Sequence, residues 1–204
     1  MAWDTDRTKR LLLDAAIDEF SRWGLAGARV DRIAAAAGVN KERIYQYFGK
    51  KDDLFRAALA AELAAARDEV PMTGSGPDAV ADYAGRLFDH HLANPRIARL
   101  VFWEGLEFGP DAANADPVRA AYHRAKADCF AEMLPGADPA DTAQLLLTLV
   151  TLVDGWPVLQ QLNGYITGGD GPAGGAAERR RRAIVDTVHT MAAALQASPA
   201  RHQG

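Results

Sequence analysis

One glycine constrains this chain more than any other residue. In the stretch RVDRIAAAAGVNKERIYQYFGKK, residues 29–51, Gly38 follows four alanines and precedes Val39–Asn40. Val30, Ile33 and Ala34 are apolar at helical spacing, and Ala35–Ala37 are strong helix formers. A helix therefore runs into Gly38, where a left-handed closing residue is needed. Val39 fits the angle between two helices, and Asn40 offers the side-chain oxygen that starts the next one. That second helix is predicted over about 41–48, with Ile44 and Phe48 on its buried side. Lys41, Glu42, Arg43, Gln46 and Tyr47 lie on its open side. Helix, glycine-centred turn and polar second helix form a helix-turn-helix pattern, in which the second helix enters the major groove of DNA.

The run IAAAAGVNKERIYQYFGKKDDLF resembles the DNA-binding signature of the TetR family of transcriptional regulators. The resemblance rests on Ile33–Ala34, Ala37–Gly38–Val39, Asn40–Lys41, Ile44–Tyr45, Tyr47–Phe48, Lys51 and Leu54–Phe55. It extends upstream through Leu12–Leu13, Ala15–Ala16, Phe20 and Gly24, covering roughly residues 7–60. Two features depart from the pattern. Arg29 stands where the family usually has Ser or Thr capping the first motif helix, so that cap is lost or comes from elsewhere. Glu42–Arg43 replaces the usual small residue and Thr, so base preference does not carry over. The expected DNA-contacting set is Arg29, Asn40, Lys41, Glu42, Arg43, Tyr45, Gln46, Tyr47, Lys50 and Lys51. Arg43 can pair with guanine, Gln46 with adenine, and Glu42 can accept from cytosine. The resemblance implies phosphate contacts for Tyr47 and Lys51, and for Tyr45 a role shared between supporting the helix and reaching DNA.

Charge is distributed as such a role requires. The chain of 204 residues carries a net charge of −4. Residues 1–51 hold ten Lys and Arg against seven Asp and Glu, a net of +3, and the remainder thirteen against twenty, a net of −7. The basic excess lies with the motif. The single Cys129 leaves neither an internal disulfide nor a cysteine zinc site, and no metal or cofactor is expected. No stretch approaches the ~18 apolar residues of a membrane span. The N-terminus MAWDTDRTKR lacks the apolar core of a signal peptide, which points to the cytoplasm.

The periodicity predicts an all-α chain: a three-helix head at 1–50, a connecting helix over 51–70, and a helical bundle at 71–204, about nine helices in all, the bundle being by family resemblance the ligand-binding and dimerisation domain. Helix 1 covers about 7–23, with Leu13, Ala16, Ile17 and Phe20 on one face, and residues 1–6 read as a frayed tail. Arg7, Lys9 and Arg10 sit at its start, where cations oppose the helix dipole; DNA phosphate and bulk solvent are both open as their company. Residues 71–77, PMTGSGP, mark the boundary. Further helices are predicted over 78–93, 96–108, 117–134, 139–163 and 176–196, with loops at 109–116 and 168–175. The loop GGDGPAGG lacks the following Lys-Ser/Thr of a phosphate-binding loop. Pro157, in Asp154–Gly155–Trp156–Pro157, should kink the long helix.

In the bundle, Phe88, His91, Phe102, Trp103, Glu104, Tyr122, His123, Trp156 and Gln160 are candidates for a small-molecule pocket, because aromatic walls with a few polar groups typify such sites. Core packing is the competing reading for the aromatics. The family resemblance implies an effector pocket here, with an apolar or planar ligand and, if Glu104 faces inward, a cationic group. It also implies a homodimer paired through the last two long helices, with Leu145, Leu149, Leu152, Ile184, Val188, Met191 and Leu195 as the expected interface. A DNA-binding regulator, in most such proteins a repressor released from a palindromic operator by a small molecule, is the resulting expectation. A helical-bundle enzyme or carrier is the alternative, although neither HExxH nor a nucleophile elbow occurs.

Overall fold

The computed structural model describes residues 5–111, 116–168 and 175–197. Among them every regular element is helical: α1 Thr5–Gly27, α2 Val30–Ala37, α3 Lys41–Phe48, α4 Lys51–Glu69, α5 Pro77–Ala93, α6 Pro95–Phe108, α7 Pro117–Glu132, α8 Pro139–Val158, α9 Gln160–Thr167 and α10 Ala176–Ala197, with a 3-10 turn at Gly109–Asp111. Residues 1–4, 112–115 and 169–174, parts of the predicted tail and loops, lie outside the described residues. The helix expected over 139–163 is two helices that meet at an 85° bend. Pro157 cannot donate to the carbonyl of Val153, and the ladder ends one turn later with Leu159 N–H on Gly155 O at 2.9 Å. No single helix among the described residues is long and apolar enough to cross a membrane.

The chain forms two compact units that do not follow its linear order. The first is built from α1–α4 and α6, the second from α5 and α7–α10. In the first, Leu12, Ala16 and Phe20 of α1, Ile33 of α2, Ile44 of α3 and Phe55 of α4 are fully buried, each large side chain contributing about 1.5–3 kcal/mol. Phe20 and Phe55 meet edge to face, centroids 5.2 Å apart.

Helix α6 fastens to the C-terminal half of α1 with one face. Arg96 pairs with Asp18 at 2.9 Å, Arg99 Nε donates to the carbonyl of Ser21 at 2.6 Å, and Glu107 accepts from Ala26 N–H at 3.0 Å. Between them Trp103 covers Gly24, whose φ of 67° interrupts the helical path of α1. A β-carbon there would come within 2.7 Å of the indole, so Gly24 serves both the turn and the approach of Trp103.

The second unit has its own core, centred on Leu87 and Phe88 of α5, Phe130 of α7, Leu145, Leu149 and Val153 of α8, and Ile184 and Val188 of α10. Four residues of the expected dimer interface belong to this core. Leu145, Leu149, Ile184 and Val188 are 1% exposed or less within their own chain, because the most apolar stripe of each helix faces its own core. Leu152, Met191 and Leu195 pack partly buried at the rim of that core. The outward face of α8 carries Leu147 and Thr151 instead, and that of α10 Ala183, Thr187, Thr190 and Ala194.

Candidate nucleic-acid interface and bundle site

The α2–α3 turn closes as its residues dictate. Gly38 takes the left-handed conformation, φ 64° and ψ 30°. Its N–H reaches Ala35 O at 3.2 Å and that of Val39 reaches Ala34 O at 3.0 Å, the paired bonds of a Schellman motif. Asn40 caps α3, its Oδ1 accepting from Glu42 N–H at 3.4 Å. At the start of α2 no side chain of residue 29 caps the helix. A carboxylate from α1 anchors that end instead, on the capping residue itself: Glu19 Oε1 accepts the Arg29 N–H at 2.8 Å and Arg32 Nε at 2.7 Å. A carboxylate at a helix N-terminus also suits the dipole. Residue-by-residue reading of the motif could not find Glu19, because its partner is ten positions away.

Ile44 is buried against the unit's core, which leaves Glu42, Tyr45 and Gln46 exposed on the opposite face of α3. Beside them Arg43 Nη1 donates to the Tyr47 hydroxyl at 2.7 Å. Lys9 of α1 stands over the same Tyr47 ring, 5.7 Å from its centroid. The cations at the start of α1 therefore do share a surface with the motif, through Lys9. Lys41 pairs with Asp31 at 2.8 Å, which raises its pKa, the hydrogen bond being the main cause. Lys50 is exposed, while Lys51 Nζ donates to Ala26 O at 3.5 Å. Arg29 is exposed. The result is an outward face with exposed polar side chains and flanking cations.

The expected pocket residues divide between the two units. Phe102, Trp103 and Glu104 belong to α6 in the first unit, and Phe88, His91, Tyr122, His123, Trp156 and Gln160 to the second. Phe88 is buried, 6.3 Å from the Trp156 ring. Tyr122 meets His123 edge to face, and Gln160 donates its amide to the Trp156 carbonyl at 2.6 Å. His91 is buried and paired, Nδ1 to Asp154 Oδ1, at 2.6 Å. Asp154 was legible as the one acid in the apolar run of α8, yet only the fold shows its partner. Lys126 and Tyr83 also feel Asp154: burial lowers the Lys126 pKa against the pull of Asp154, and burial raises that of Tyr83. An open groove of about 560 Å³ runs along the C-terminal half of α8, α9 and the start of α10. Trp156 alone of the expected set lines it, with Leu152, Leu159, Leu162 and Ile166. Among the described residues no three His, Cys, Asp or Glu side chains gather as metal ligands.

Comparison with known proteins gives this geometry its family. Residues 12–58 match the profile of bacterial regulatory proteins of the tetR family. Residues 79–190 match that of the tetracyclin repressor-like C-terminal domain. The HTH-type transcriptional repressor SCO4008 of Streptomyces coelicolor is 36% identical over 178 residues, 85% of this chain and 90% of that protein. The HTH-type transcriptional regulator RutR of Escherichia coli K12 is 43% identical over 51 residues, a match that covers 25% of this chain and 24% of RutR. The solved structure of the transcriptional regulator SCO4942 of Streptomyces coelicolor superposes with a TM-score of 0.66 at 32% identity, covering 90% of this chain and 97% of that one. The chain belongs to the TetR family of DNA-binding transcriptional regulators.

Proposed function

We propose that this regulator represses transcription by holding a palindromic operator as a homodimer, and releases it when a small molecule binds the second unit. The observation that carries the reading is the exposed stripe Glu42, Tyr45 and Gln46 on a capped recognition helix, flanked by Lys9, Arg43, Tyr47 and Lys50. Gln46 suits adenine, Arg43 guanine once it leaves Tyr47, and Glu42 the amino group of cytosine. Tyr47, Lys50 and Lys51 suit phosphates, which position the head without reading sequence. Exposed Leu147 on α8 and the uncharged stripe Ala183, Thr187, Thr190 and Ala194 on α10 support pairing with a second copy, and a two-fold dimer reads a palindrome. The protein works in the cytoplasm by binding rather than by catalysis.

Selection of bound sequences from a random DNA pool tests the reading and yields the operator. Gln46→Ala should cost about 1–3 kcal/mol and relax preference at one base pair per half-site. Lys50→Ala should weaken all sequences alike and lower the salt slope by about 1. A pool that converges on no palindrome, or variants that bind as the parent does, would overturn it.

A further inference from the structure

We infer that the groove along α8, α9 and α10 binds an amphipathic anion, an apolar body with a carboxylate head, held at Arg180. This names an effector class and so rests on the proposed ligand response. The volume, about 560 Å³, falls within the ~300–1,000 Å³ of small-molecule sites. Its walls are apolar, and α9 shows water Leu162 at 45% and Ile166 at 75% exposure. Such a contiguous apolar surface marks a place that something covers.

Charge selects the occupant. Among the described residues, Arg179 and Arg180 are the only ionisable ones lining the groove, and no carboxylate among them lines it. Arg180 donates Nη2 to the carbonyl of Leu152 at 3.0 Å, while its Nε is buried without a hydrogen-bond partner among the described residues. Burial pulls its pKa below the ordinary arginine value. A buried N–H of this kind is normally satisfied, and a carboxylate meets a guanidinium edge with paired bonds. The arginines also stand near the N-terminus of α10, Ala176–Ala197, where cations oppose the dipole and an anion is favoured. A cationic ligand would meet like charge here, so the site excludes the class that Glu104 suggests.

The test uses the purified full chain with decanoate, decanol and decylammonium as probes, read by thermal shift and by Trp fluorescence. Decanoate should bind saturably, one per chain, with decanol roughly tenfold weaker or more and decylammonium without effect. Arg180→Gln should lower decanoate affinity roughly tenfold or more and leave decanol unchanged, and Leu162→Asp should weaken both. Equal binding of the three probes, or an unchanged Arg180→Gln, overturns the inference. So does decanoate binding that falls as sedimentation shows the chain dimerising, since a second copy would then occupy the groove. Operator affinity measured on the same proteins without ligand separates this failure from failure of the regulator reading.

Discussion

Glu19→Ala should loosen the start of α2 without touching the exposed residues of α3. In the parent the carboxylate accepts the Arg29 N–H at 2.8 Å and Arg32 Nε at 2.7 Å. Losing a helix-capping acceptor costs about 0.5–2 kcal/mol. The ion pair adds at most about 1 kcal/mol, because the Arg32 side chain is 43% exposed. The expected loss is therefore about 1–3 kcal/mol, concentrated in α2. Native-state amide exchange of Ile33 and Ala34 reads that local opening directly. Residue 29 is extended, with φ −124° and ψ 122°, the conformation of a capping position. Adding Arg29→Thr to the Glu19→Ala chain should offset about 1 kcal/mol through a different bond, its hydroxyl accepting an N–H of the first turn of α2. If α2 amides exchange as in the parent, Glu19 does not anchor the start of α2.

Two further outcomes test the second unit. Asp154→Ala should destabilise the chain by about 3–5 kcal/mol, because it strands the buried His91; the paired replacement His91→Phe/Asp154→Leu should cost far less, and equal urea midpoints for the two would refute the pair's role. His123 is pushed down to about 4, by burial first and then by the charges of Arg119 and Lys126. The unfolded state thus binds the proton first, and stability falls as pH drops from about 6.5 towards 4. More than a third of the residue is open to solvent, so the effect is below full linkage. A His123→Asn chain with an undiminished pH slope over that window would count against this assignment.

Local chemistry made much of the head readable. Gly38, Asn40 and the alternation of Ile44 with Glu42, Tyr45 and Gln46 act within a few residues, and the helix–turn–helix followed from them. The all-helical class followed from periodicity, and the break near Trp156 from Pro157, since both depend on neighbours in the chain. Partnerships across long separations were not readable in this way. Glu19 bonded to Arg29, Trp103 seated on Gly24 and His91 paired with Asp154 each depend on helices brought together by packing. The same limit governed the apolar stripes of α8 and α10. Periodicity shows that Leu145, Leu149, Ile184 and Val188 are buried, but not whether by their own chain or by a second one. Sequence alone thus determined most of the helices and the exposed face of α3, because capping and amphipathicity are short-range. Tertiary structure alone decided which faces meet, because burial is shared among elements that only the folded chain makes neighbours.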